Sequence, residues 1–96
     1  MREIGPFRWD EAKRAANKAK HGVDFAEAEF FEFDSAMVLP DDRKNYGEIR
    51  FRAFGLIKGR LHALVFTHRA GAVRIISLRR ANSREMKRYA ATQKTR

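Results

Sequence analysis

The chain has 96 residues, with 21 Lys and Arg against 12 Asp and Glu, giving a net charge of +9 at neutral pH. That length makes one domain with a thin core, and a hydrophobic content of 44% with eight Phe is ample for a globular fold. The absence of Cys removes disulfides, thiolate zinc sites and nucleophilic thiols, while no apolar run approaches the roughly 18 residues of a membrane span and no signal-peptide core opens the chain, so a cytoplasmic protein that does not bind membrane is expected.

Phe7-Arg8-Trp9 reads as a short edge strand. Asp10 then caps a helix whose apolar stripe is Ala12, Ala15, Ala16 and Ala19, and Gly22 is placed to end it with a positive φ. Asp24 and Glu27 have the spacing of a capping box for a second helix running to about Phe33, whose Phe25, Ala28, Phe30, Phe31 and Phe33 cover an arc wide enough to pack on a sheet. From Ala36 the period changes. A short strand over Ala36–Leu39 closes at Pro40, Asp41–Tyr46 is a loop, and Gly47–Ile57, Leu61–His68 and Ala72–Leu78 read as three strands joined by the Gly-containing turns Lys58-Gly59-Arg60 and Arg69-Ala70-Gly71. Asn82 and Glu85 repeat the capping-box pattern and open a third helix carrying Met86, Tyr89, Ala90 and Gln93 along one side, with Thr92–Arg96 expected to fray. The order is α+β: an antiparallel sheet of four to five strands, two helices before it and one after.

Charge is divided unevenly along this order. Residues 1–48 balance at −3, whereas residues 49–96 balance at +12 and hold a single acid, Glu85. A field concentrated in one half points to an anionic partner, most simply nucleic acid. Strand alternation puts Arg50 and Arg52 on one parity, groups Arg74, Ile76, Leu78 and Arg80, and sets Val73, Ile75, Ser77 and Arg79 against them, so Arg79 and Arg80 diverge unless the strand ends first. Two arginines just before a helix N-terminus oppose its dipole, which suggests that a phosphate is expected there. Glu85 is explained in part by its own capping box, and its cationic neighbours favour an ionised, orienting carboxylate over a general acid. Tyr89 lies one turn further along the same helical face, either packed beside Met86 or presenting its hydroxyl or ring to a ligand. His62 and His68 stand six residues apart on one strand, roughly 20 Å at about 3.3 Å per residue, which is too far for one metal. No metal constellation, cofactor-binding glycine loop or acyl-transfer motif is present.

The motifs Phe7-Arg8-Trp9-Asp10, Lys20-His21-Gly22-Val23, Tyr46-Gly47-Glu48, Gly59-Arg60 and Ile75-Ile76-Ser77-Leu78-Arg79-Arg80-Ala81, followed by Arg84-Glu85 and Tyr89, resemble those of the BrnT toxins of BrnT/BrnA type II toxin–antitoxin pairs. Leu78 stands where that family usually shows a small residue. The resemblance implies a RelE-like domain over residues 1–91, ribonuclease activity that stops translation, and a cognate BrnA-like antitoxin that carries the complex to operator DNA. RNA cleavage without metal would use the neighbouring 2′-OH as nucleophile. In that scheme Arg79, Arg80, Glu85 and Tyr89 are the catalytic candidates, and Arg50, Arg52, Arg60 and Arg74 track the RNA backbone. The proton-transfer group stays open among Glu85, Tyr89, Lys20, His21 and His68. The competing reading is a non-catalytic nucleic-acid-binding module or repressor subunit, although the third helix lacks the preceding partner of a helix-turn-helix.

Overall fold

The computed structural model describes residues 6–94. Its frame is a meander of β3 (Phe51–Ile57), β4 (Arg60–Arg69) and β5 (Ala72–Arg80). Both connections are two-residue turns in which each central residue has positive φ, Lys58 at 50° with Gly59 at 81° and Ala70 at 52° with Gly71 at 76°. That backbone twist matches the strands it joins, and glycine adopts it without a Cβ clash. Residues 47–50 do not join the ladder, contrary to the strand expected from Gly47 onward. Gly47 turns at φ 74°, Glu48 is drawn to Arg50 and Arg69, and the Ile49 carbonyl accepts the Thr67 hydroxyl at 2.6 Å.

β2 (Met37–Pro40) pairs antiparallel with β3 at one edge, and β1 (Phe7–Arg8) pairs parallel with β5 at the other. The sheet is therefore five-stranded and mixed, in the order β1-β5-β4-β3-β2, rather than wholly antiparallel. The chain leaves β1, crosses to the far edge and meanders back, so its last strand arrives alongside the first in the same direction.

The expected second helix is instead two stretches of tighter 3-10 turn, Phe25–Phe30 and Phe33–Ser35. Phe25 and Ala28 of the first stretch are buried, as is Phe31 just past its end, a period of three that eclipses on a 3-10 helix and drifts off one face of an α-helix. Phe30 falls outside that row and is 46% exposed, with the Lys58 ammonium 4.4 Å from its ring centroid. Behind the row Gly55 is required: a Cβ there would lie 2.6 Å from the Phe31 ring.

The first helix, α1 (Glu11–His21), begins and ends where its caps predict, with the Asp10 carboxylate accepting the Lys13 N–H and Gly22 left-handed at φ 74°. Its alanine stripe does not face the core. Ala12, Ala15, Ala16 and Ala19 are exposed, and Arg14, Asn17 and His21 turn inward. The reason is what α1 packs against. β1 covers β5 only at Val73 and Arg74, so the rest of that strand would leave its edge groups unpaired. The Asn17 amide takes their place, donating to the Leu78 carbonyl at 2.7 Å and the Val23 carbonyl at 3.1 Å, and accepting the Leu78 N–H at 3.2 Å.

A register shift further along β5 settles which way its arginines point. Val65 pairs with Ser77 but Phe66 with Ile75, which leaves Ile76 as an extra bulged residue. Leu78 thus shares the buried face of Val73 and Ile75, against simple alternation. That face packs under α1 and the 3-10 segments with Phe25, Phe31, Leu64 and Phe66. The opposite face carries a smaller cluster of Phe54, Leu61 and Ala63 beneath Tyr89 of α2 (Ser83–Lys94). α2 continues past the point where fraying was expected, because the Tyr89 hydroxyl and the Gln93 amide both donate to the Ser35 carbonyl, at 3.1 and 3.3 Å. The rest of the expected frayed tail, residues 95–96, lies outside the described residues.

Asn17→Ala should lower the urea-unfolding free energy by about 1–3 kcal/mol, the cost of buried backbone groups left without partners. Lys13→Ala on the solvent side of the same helix should stay within about 0.5 kcal/mol of the parent. Equal effects of the two would show that the Leu78 edge finds partners without Asn17.

Candidate catalytic and nucleic-acid-binding site

Past Arg80 the chain turns through Ala81, whose N–H donates to the Leu61 carbonyl at 2.9 Å, and enters α2. The capping box forms reciprocally: the Asn82 side chain accepts the Glu85 N–H and the Glu85 carboxylate accepts the Asn82 N–H, each at 2.9 Å. This fixes Glu85 where the side chain of Arg79 reaches it. Nη1 and Nη2 of Arg79 donate to Oε1 and Oε2 of Glu85 at 2.9 and 2.8 Å, a fork-to-fork pair. Nη1 also reaches the Arg80 carbonyl at 3.3 Å. A guanidinium has five N–H donors, so donors remain after these contacts. The Arg79 side chain is 33% exposed and can offer them to an incoming anion.

The electrostatics follow from that pairing. Hydrogen bonds from Arg79 hold the Glu85 carboxyl below the usual carboxylate range against the opposing effect of burial, with the Asn82 N–H and the charges of Arg79 and Arg52 adding to them. The Arg79 guanidinium is shifted up by Glu85 in return. A carboxylate held ionised in this way orients its arginine and does not serve as a proton donor near neutral pH.

His21, the last residue of α1, is half-buried and lies within electrostatic reach of Arg79. Burial pushes its imidazole below the ordinary 6.5, and the positive charges of Lys20 and Arg79 push it further the same way. The lowered pKa favours the neutral imidazole near neutral pH, within electrostatic reach of the Arg79 charge. His68 is exposed and rests against the Phe66 ring. Tyr89 is buried, with its ring in the second core cluster and its hydroxyl committed to Ser35.

The arginines singled out in the sequence do not form one surface. Arg80 points to the opposite side of the sheet from Arg79, as strand pairing through residue 80 requires. There it lines a cavity of about 440 Å³ with Arg60, Lys18, Lys58 and His62, whose Nδ1 is 2.8 Å from the Arg60 carbonyl. Arg74 lies at the other end of β5 beside Arg8 and Arg69. Arg50 is occupied: its Nε donates to Glu48 at 2.9 Å and its guanidinium lies 4.1 Å from the Tyr46 ring centroid. Arg52 alone of the four sits close to Glu85, on the α2 side of the sheet. No local pattern joins Lys18 to Lys58 and Arg60, because the cavity arises only where the end of α1 meets the β3–β4 turn.

Among the described residues no group of three or more His, Cys, Asp and Glu side chains is placed to hold a metal ion. No described helix is long and apolar enough to cross a membrane.

Residues 9–85 match the family model described as the ribonuclease toxin BrnT of type II toxin–antitoxin systems. Among solved structures the chain is similar to the 1.1 Å crystal structure of the Brucella abortus ribonuclease toxin BrnT, at 37% identity and a TM-score of 0.67, over 82% of this chain and 99% of that one. Comparison with curated proteins gave no match.

Because the folded pKa of Glu85 is depressed, its contribution to stability is complete above the ordinary carboxylate value of 4.5 and is lost as pH falls through the lower folded value. Glu85→Gln should accordingly be less stable than the parent at pH 7 in urea, with the gap closing as the pH is lowered towards acid. A gap independent of pH would mean that the carboxylate charge contributes nothing to the Arg79 contact.

Proposed function

The chain belongs to the BrnT family of ribonuclease toxins of type II toxin–antitoxin systems, and from that premise we propose that it cleaves RNA at the Arg79–Glu85 pair without a metal ion, using the 2′-OH next to the scissile phosphate. The observation that carries this reading is the oriented Arg79 guanidinium with donors to spare, at the end of a strand and within electrostatic reach of the His21 imidazole. His21 takes the 2′-OH proton, the 2′-oxygen attacks phosphorus, and Arg79 stabilises the added charge on the non-bridging oxygens. The bond from phosphorus to the 5′-oxygen then breaks, leaving a 2′,3′-cyclic phosphate and a 5′-hydroxyl that gains its proton from solvent or from the imidazolium just formed. Glu85 is a positioning residue, since it holds Arg79 and stays ionised. Tyr89 is placed to support α2 rather than to meet RNA. Arg80, Arg60 and Arg74, with Arg52, supply flanking phosphate contacts on the surfaces where they lie, and a strand passing around the end of β5 would meet Arg79 and Arg80 in turn.

Cleavage in EDTA should fall by roughly 10²-fold or more in Arg79→Ala, the scale for losing one donor to a developing oxyanion. The acid limb of the pH–rate profile should lie below 6.5, since the neutral form of His21 is the active one and its pKa is lowered, and His21→Gln should remove that limb. Full activity in both variants would place the chemistry elsewhere.

Family membership also implies an antitoxin partner. We infer a BrnA-like protein that acts in the cytoplasm, lays an acidic or amphipathic segment over the +12 half of the chain and carries the complex to operator DNA through its own domain. Coexpression with the adjacent open reading frame should give a stable complex without RNase activity and with operator binding. A toxin that purifies alone and equally active from cells expressing both genes would contradict this.

A further inference from the structure

Between β3 and the first turns of α2 lies a depression of about 200 Å³. Met37 and Phe54 give it an apolar lining, and Arg52, Arg84 and Arg88 give it three guanidinium groups. Among the described residues none of the three is ion-paired, in contrast to Arg14, Arg43, Arg50, Arg69 and Arg79, which each have a carboxylate partner. Arg52 is the informative member. Its Nε is sealed from solvent and has no hydrogen-bond acceptor in the protein. A buried N–H without an acceptor is costly, and a small shift of the Arg52 side chain that brings it to a ligand oxygen at this site would relieve it.

The combination of an apolar lining with planar cations suits a particular ligand. Guanidinium groups bind phosphate through paired N–H donors and also stack on the faces of bases, while an apolar wall accommodates the rest of a base. The volume matters too. Pockets that enclose a drug-sized molecule are roughly 300–1,000 Å³, so this depression takes a single base with its phosphate at the open rim rather than a length of peptide. It also adjoins Glu85, and hence Arg79, so a nucleotide seated here would be next to the phosphate under attack.

We propose that this depression is a nucleotide subsite, holding one base of the RNA against Met37 and Phe54 and its phosphate on Arg84 and Arg88, with Arg52 donating its buried N–H to a ligand oxygen. The assignment takes its ligand class from the RNA-cleaving reading above, and it makes Arg52, Arg84 and Arg88 specificity-determining rather than catalytic.

The test is equilibrium binding, with no turnover involved. The whole protein is titrated with each of the four nucleoside 3′-monophosphates and with inorganic phosphate, followed by calorimetry and by NMR shifts of the α2 amides. At least one nucleotide should bind about fivefold or more tighter than phosphate, the scale of one base stacking contact. Arg84→Gln with Arg88→Gln, both exposed positions, should weaken that nucleotide about tenfold or more while the fold is kept, as circular dichroism would confirm. Arg52→Lys, which retains charge but not the planar fork, should reduce the preference among the four bases. Nucleotides that bind no tighter than phosphate, or unchanged by the double substitution, overturn the proposal. So does a double variant that loses only antitoxin binding, which would assign the depression to a protein partner. Loss of RNA cleavage in Arg79→Ala or its absence in the parent bears on the catalytic reading alone, since these titrations need no cleavage.

Discussion

Leu78 is held in two ways, and the placing of the candidate site depends on both. Its side chain is fully buried among Phe25, Leu64 and Ile75, while its N–H and carbonyl are bound by the Asn17 amide in place of a neighbouring strand. The first contact fixes the rotation of β5, so residue 79 must face α2 and residue 80 must face away. The second ties α1 to the same point, which brings His21 within electrostatic reach of Arg79. A few residues further on, the chain meets the capping box that presents Glu85.

The site is thereby built on elements that are rigid for reasons unrelated to chemistry. Arg79 leaves the end of β5 where that strand is still paired with β4, Glu85 is fixed by its own helix start, and α2 is anchored by Tyr89 and Gln93 on Ser35. Pre-set donors of this kind do not have to be reorganised when charge develops on a bound phosphate. Arg60 and Arg80 lie at one end of the sheet and Arg74 at the other, apart from the Arg79–Glu85 pair.

Much of this is legible in the sequence, and what is not has physical reasons. The capping boxes, the Gly22 cap and both hairpin turns depend on a few adjacent residues, so local chemistry reveals them. The 3-10 segments pass for α-helix because several aromatic residues in a short stretch satisfy either period, and the distinction lies in which of them the sheet accepts. The alanine stripe of α1 misleads for a different reason: hydrophobic periodicity assumes that a helix seeks an apolar face, but α1 packs against a strand edge, where an amide is the better partner. The bulge at Ile76 is invisible because nothing in Val73–Arg80 departs from strand-forming composition. The direct pairing of Arg79 with Glu85 is beyond local pattern, although the capping box and the cationic surroundings already argue for an orienting carboxylate.

In the proposed reaction the 2′-OH of the RNA is the nucleophile and Arg79 supports its attack. It is tested most directly by the ends of the cleaved strands. Mass spectrometry of the products of a defined oligoribonucleotide, with a single 2′-deoxy substitution at the cut site as comparison, should show a 2′,3′-cyclic phosphate and a 5′-hydroxyl, and no cleavage of the substituted strand. A 3′-hydroxyl with a 5′-phosphate, or undiminished cutting at the deoxy position, would contradict the account.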